Sequence, residues 1–256
     1  METIKVHPVV FLPGGIMPAA VQYAPLLGIL KDKIKPLLKD LEVYAGDVPP
    51  IGYDLGLEVQ GLKKASEAIG FQNFHLVGYS GGGAIALAFT ATYPEKVESL
   101  ALVEPAEIPS PEWFQQEADH VTKMKRVMSL PPDEQMQEFV RLHLRPGVMP
   151  PPPPPGAPPP WMVTRPAGLQ ALSGALFNSK ITLSQLNQFH KPVYLAIGSL
   201  SNPIEERKAE LLATLFPNFE LEIYQGRHHF DPPQRAESER FARVLNALWA
   251  RAEKSS

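Results

Sequence analysis

The sequence predicts an α/β protein: a mostly parallel central sheet flanked by helices, with an inserted helical cap. Three observations carry that expectation. Short apolar runs of strand length alternate with longer stretches of helical period along most of the 256 residues. The strand-like runs are short and apolar, as expected of a parallel sheet covered on both faces. The alternation lapses once, over 108–190, where two or three helices surround a proline run. The expected organisation is therefore a core domain of 1–107 and 191–256 and a cap of 108–190.

Residues 9–12 read as a buried strand ended by Pro13-Gly14-Gly15, and a helix is expected over roughly 19–39. Residues 41–44 are strand-like, and a proline-rich turn leads into a helix over 55–69 with Leu55, Val59, Leu62 and Ile69 on one stripe. A strand at 74–77, a helix at 82–93 and a strand at 97–103 follow. After the insertion come strands at 192–197 and 219–224. The last helix repeats apolar residues at Phe241, Val244, Leu245, Leu248 and Trp249, which share one helical face. Ten of the 29 prolines lie in 145–161, "RPGVMPPPPPPGAPPPW". A run so poor in amide donors favours extended polyproline II and reads as a stiff lid segment within the cap, with a docking motif for aromatic-grooved partner domains as the alternative.

Composition narrows the partners. A net charge of −3 with no basic block argues against nucleic acid or an anionic membrane surface. No apolar stretch is long enough for a membrane span. With no cysteine there is neither a disulfide nor thiolate chemistry. The start, Met-Glu-Thr-Ile-Lys, lacks the pattern of a secretory signal, so the expected location is cytoplasmic. Neither His-Glu-x-x-His nor Gly-x-x-x-x-Gly-Lys occurs, so no metal and no cofactor are expected.

The informative motif is Gly78-Tyr79-Ser80-Gly81-Gly82, between an expected strand and an expected helix. It fits G-x-S-x-G, a turn so sharp that its flanks leave no room for a Cβ. Such a turn lifts the serine oxygen above the sheet. The amides that follow, Gly81 first, then point from a helix N-terminus toward developing negative charge.

On this motif and its setting the chain resembles the α/β-hydrolase fold superfamily from Val9 to Trp249, as a serine-nucleophile member of esterase or lipase type. The resemblance implies a helical cap after the strand that follows the elbow, and a Ser–acid–His triad in chain order. It makes Ser80 the nucleophile. "FLPGG" looks like the family's strand–His-Gly-x segment, with Pro13 where the histidine usually stands and Gly15 at the second oxyanion-donor position beside Gly81. The family's D-x-x-G-x-G segment is replaced by "AGDVPPIGYD", and its first two strands are missing or reduced. The histidine is expected after the last strand, at Gly226-Arg227-His228-His229-Phe230, where the family's Gly-x-His-Phe pattern selects His229 and leaves His228 beside it. His7, His75, His120, His143 and His190 read as structural.

The acid departs from the common pattern. Residues 198–203 read Gly-Ser-Leu-Ser-Asn-Pro, with Asn202 where most members carry Asp. An amide orients an imidazole but does not stabilise an imidazolium. Some members carry the acid at the end of the strand after the elbow, and Glu104 stands there; Glu107, Glu205 and Glu206 are the less favoured carboxylates. A serine nucleophile excludes the dehalogenase and epoxide-hydrolase chemistry of this fold and implies acyl transfer through an acyl-enzyme. The expected substrate is a small-molecule carboxylic ester with a small to medium, mostly apolar acyl group. Tyr79, Met124, Met128 and Trp161 are its candidate contacts, since methionine packs adaptably against irregular apolar ligands. A lactonase, thioesterase, carbon–carbon bond hydrolase or perhydrolase would use the same triad. A hydrolase-like ligand sensor, or a catalytically dead interaction protein with Asn202 as the lesion, stand as non-enzymatic alternatives.

Overall fold

The computed structural model describes residues 6–150, 152 and 156–254. Six parallel strands form one sheet: β1 (His7–Leu12), β2 (Ile34–Leu38), β3 (Phe74–Tyr79), β4 (Val97–Val103), β5 (Val193–Gly198) and β6 (Phe219–Tyr224), in the order β2-β1-β3-β4-β5-β6. β3 and β5 are buried along their whole length, because helices cover both faces of the sheet.

Side chains alternate across a strand, so each strand feeds two cores. Val10, Leu12, Leu76, Leu100, Leu102 and Leu195 face one way. There they meet helices α2 (Leu55–Ala68), α3 (Gly81–Thr92) and α9 (Ile204–Leu215). Val9, Phe11, Val77, Ala101 and Val103 face the other way, against Tyr23 and Leu26 of α1 (Ala19–Leu30) and Phe241, Leu245 and Trp249 of α11 (Ser238–Lys254).

Two expectations near the N-terminus are corrected. The helix predicted over 19–39 ends at Leu30, and 34–38 forms the edge strand β2, with Pro36 opposite Val9. A proline lacks the N–H that a central strand would require, but an edge strand tolerates it. The strand predicted at 41–44 is instead a helical turn, Glu42–Tyr44. The Glu58 carboxylate on α2 accepts the Glu42 and Val43 amides at 2.9 and 3.0 Å, so a side chain satisfies donors that a strand would have offered to a neighbour.

Between β4 and β5 lie α4 (Pro111–Gln116), α5 (Ala118–Met128), α6 (Pro132–Leu142), a helical turn at Pro160–Thr164, α7 (Arg165–Phe177) and α8 (Leu183–Leu186). Met124, Val127, Met128, Phe139 and Leu169 gather there into a small cluster of their own. Trp113, Leu172, Leu176 and Leu186 join the main core. Of the proline run, residues 151 and 153–155 lie outside the described residues. A short helix α10 (Pro233–Ala236) precedes α11.

Candidate active site

The chain leaves β3 and enters α3 at Ser80, whose φ of 51° lies in the left-handed region. Among the described residues the only other non-glycine with positive φ is Glu104, at 40°. Both sit at the C-terminal ends of neighbouring central strands, and such strain persists only where the surroundings hold it. A Cβ on Gly78 would lie 2.5 Å from the Gly82 carbonyl oxygen, and one on Gly82 would lie 2.4 Å from that of Pro13. Only glycine fits either position. The Ser80 amide donates to the Val103 carbonyl at 3.0 Å and the Ala106 amide donates to the Ser80 carbonyl at 2.8 Å. The Glu104 amide is held by the Ala196 carbonyl at 3.0 Å. The elbow and the end of β4 are thus fixed to each other and to β5.

His229, in the loop between β6 and α10, reaches both strand ends. Its Nε2 lies 3.0 Å from Ser80 Oγ and its Nδ1 lies 2.8 Å from Glu104 Oε2. Ser80, Glu104 and His229 are 5, 3 and 2% exposed. A carboxylate accepts only, so the arrangement puts the proton on Nδ1 and leaves Nε2 to accept the serine hydroxyl. The other oxygen of Glu104 accepts the Gly198 amide at 2.5 Å and the Ser201 hydroxyl at 2.6 Å. Burial lowers the His229 imidazole to about 3, with the charges of Lys208 and His228 acting the same way. Burial also pushes the Glu104 carboxyl up to about 7, against the Ser201 and Gly198 hydrogen bonds and Lys208.

His228 is half-buried, and its Nδ1 accepts the Phe230 amide. Asn202 is committed elsewhere: its Nδ2 donates to the Leu142 carbonyl and its Oδ1 accepts the Ile204 amide, each at 2.9 Å. Glu107 is held by Trp113 Nε1 and His120 Nε2, at 2.8 and 3.0 Å, and Glu206 pairs with Arg145 near the surface. Glu205 accepts Lys208 Nζ at 2.8 Å. That ammonium also binds the carbonyls of Pro105 and Ala106 at 2.7 and 2.9 Å and so fixes the chain just beyond Glu104. Glu104, Glu205 and His229 offer metal-ligand atoms within 4.8 Å of one another, but Lys208 already supplies positive charge there.

Gly15 and Gly81 flank one space. A Cβ on Gly81 would stand 3.6 Å from the Gly15 amide nitrogen, and both residues line a cavity with Ser80. Gly81 opens α3, so its N–H has no acceptor within the helix. Two side chains that the sequence left unremarked hold the loop of Gly15. Tyr44 Oη donates to the Gly15 carbonyl at 2.6 Å, and Arg165 Nε donates to that of Ile16 at 2.8 Å. The Arg165 guanidinium lies 3.9 Å from the centre of the Tyr44 ring, which joins the two supports.

Two cavities meet at Ser80. One, of about 70 Å³, touches His229, Tyr79, Ile16, Met17, Phe139 and Phe230. The other, of about 30 Å³, touches Gly81, Met124, Phe139, Leu169, Leu172 and Phe177. Met124 therefore faces the site, whereas neither Met128 nor Trp161 lines either cavity. Tyr79 lines the larger one, and its hydroxyl donates to the His229 carbonyl at 2.6 Å. His143, read from sequence as structural, lies against His229 with ring centroids 4.4 Å apart and the planes tilted by 39°, and borders the smaller cavity. Its Nδ1 meets the Phe139 carbonyl at 2.8 Å, and burial holds its imidazole well below the usual range.

Comparisons with known proteins agree on the architecture. The family model for the alpha/beta hydrolase fold matches residues 58–147. Among solved structures, the chain is similar to a thermophilic esterase from Thermogutta terrifontis, with a TM-score of 0.72 at 17% identity over 98% of this chain and 92% of that one. An esterase from Exiguobacterium antarcticum gives 0.72 at 18%, over 97% and 93%. A bacterial membrane phospholipase A gives 0.68 at 20%, over 97% and 80%. No curated sequence matches the chain.

Proposed function

We propose that the chain, whose fold is that of the α/β hydrolases, is a serine hydrolase cleaving carboxylic esters of small to medium, mostly apolar acyl groups through an acyl-enzyme. The observation that carries this reading is the buried chain of hydrogen bonds from Ser80 Oγ through His229 to Glu104, with Ser80 held in a strained turn at the head of α3.

In this reading His229 Nε2 takes the serine proton as Oγ attacks the ester carbonyl. Glu104 fixes the tautomer and stabilises the imidazolium that forms. The amides of Gly15 and Gly81 receive the oxyanion, a contribution worth about 3–4 kcal/mol per donor in a dry site. His229 then passes its proton to the leaving alcohol, and the acyl-enzyme is hydrolysed by water along the same proton path. The lining of the two cavities supports an assignment of the two sides of the ester. The leaving oxygen must sit at His229, so the larger cavity, which touches His229, takes the alcohol. The smaller apolar cavity takes the acyl chain.

A fluorophosphonate label and p-nitrophenyl esters of graded acyl length test the reading. The expected result is stoichiometric label on Ser80 and turnover that favours short acyl chains. Absence of both label and turnover would overturn it.

A further inference from the structure

The larger cavity is not uniformly apolar. Gln22 lines it from α1, is 2% exposed, and its side-chain amide nitrogen is buried without a hydrogen-bond partner. A buried amide left unpaired is costly, and a ligand acceptor in the cavity would relieve it. Arg235 lines the same cavity from α10. Its neighbours Arg227 and Arg240 share the Glu237 carboxylate, but Arg235 turns away from it, with Nη1 2.9 Å from the sulfur of Met17 on the cavity wall. One cation and one unpaired amide thus converge on the space that takes the alcohol.

The opposite cavity has the reverse character. Its one carboxylate, Glu107, is held by Trp113 and His120, and its other walls are mainly apolar. Glu107 would repel an anion from that side, while Arg235 would attract one to the other.

Resting on the ester-hydrolase reading, we propose that the alcohol portion of the substrate carries a carboxylate, bound by Arg235 with Gln22 donating to it. The substrates are then esters of short apolar acids with small hydroxycarboxylic acids. A carboxylate suits both donors, because a guanidinium presents paired N–H groups that match its two oxygens.

The test compares butyryloxyacetate with its neutral isostere butyryloxyacetamide, by release of butyrate. The acid is expected to have a kcat/KM about tenfold higher, the scale of one charge-assisted hydrogen bond. Arg235→Gln should bring the ratio of the two substrates close to one. Gln22→Leu should lower it by about threefold, and raised ionic strength should compress it, since Arg235 is exposed. Equal rates on acid and amide in the native protein, or an Arg235→Gln variant that keeps the native ratio, would overturn the proposal while leaving the ester-hydrolase reading intact. Calorimetry on Ser80→Ala covers the case in which no ester turns over. Tighter binding of butyryloxyacetate than of the amide, lost on adding Arg235→Gln, would support the anion site alone, and equal binding would sink it.

Discussion

The site has two halves built by different means. One half, Ser80 with Glu104, is set by backbone: two positive-φ residues at the ends of β3 and β4, with Gly78 and Gly82 packed too tightly to accept a Cβ. The other half, the Gly15 loop and the cavity walls, is set by side chains from far away. Tyr44 lies 29 residues from its partner Gly15, and Arg165 lies 149 residues from Ile16. The backbone half tolerates almost no substitution. The side-chain half can be re-tuned one contact at a time.

The largest effects should fall on the backbone half. Ser80→Ala should abolish fluorophosphonate labelling and lower ester turnover by at least about 10⁴-fold. Far-UV circular dichroism should be unchanged, because alanine fills the same turn. Glu104→Gln should cost about 10³–10⁴-fold in kcat, the scale seen when a triad acid becomes an amide. Near-native turnover in Glu104→Gln would remove that carboxylate from the mechanism.

The same carboxylate should shape the pH profile. In the proposed mechanism the active pair is ionised Glu104 with neutral His229, and burial raises the Glu104 carboxyl to about 7 while lowering His229 to about 3. As pH falls through about 7 the pair gains a proton and loses the anion that stabilises the imidazolium. So kcat/KM should rise with pH through that region and level off above it. In Glu104→Gln the inflection should vanish from the residual activity. Its persistence there would assign the proton to another group.

Arg165→Met sharpens the comparison from the other side. It deletes the donor to the Ile16 carbonyl and the stacking on Tyr44, so the Gly15 amide should wander from its position. Losing an oxyanion donor outright costs about 10²–10³-fold. A loosened donor should cost nearer tenfold in kcat, with KM little changed. Arg165→Lys should not restore it, because an ammonium neither stacks on the ring nor presents the same planar donors. A purely structural Arg165 would instead lower thermal stability without moving kcat.

This division also explains what was legible in the sequence. Gly78, Ser80 and Gly82 could be read because the turn geometry excludes other residue types, so the chemistry is written locally. The strand–helix alternation was legible for the same reason, except at 34–38, where Pro36 and the neighbouring lysines masked an edge strand, and at 41–44, where a helical turn held by Glu58 stands in place of the expected strand. His143 could not be read: nothing near it in sequence shows that the end of α6 lies over His229. Tyr44, Arg165, Gln22 and Arg235 escaped similarly, since each matters only through a partner distant along the chain. Glu205 and Lys208 appear as an ordinary helical pair at i and i+3, and only the fold buries them behind Glu104.

The smallest effect on activity should come from Asn202, which stands where a carboxylate would be more usual. Its side chain ties the carbonyl of Leu142, at the end of α6, to the amide of Ile204, which opens α9, and its own amide donates to the His143 carbonyl. It therefore acts as a clamp between two helix ends. Asn202→Ala removes both side-chain bonds and leaves a half-buried carbonyl and a helix-opening amide to find other partners. The expected cost is about 1–2 kcal/mol of stability, in the range of a lost helix cap. Activity on p-nitrophenyl butyrate should stay within about threefold, because in the proposed mechanism Glu104, not Asn202, orients His229 and stabilises its imidazolium. Asn202→Asp should be no more active than the native protein, since the second anion would face the Leu142 carbonyl, which accepts and does not donate, and would keep only the Ile204 amide as a donor. Thermal unfolding and kcat measured together decide the matter. A loss of kcat as deep as that of Glu104→Gln, with stability unchanged, would show that Asn202 acts on the histidine after all and that the two halves of the site are not built as separately as their contacts indicate.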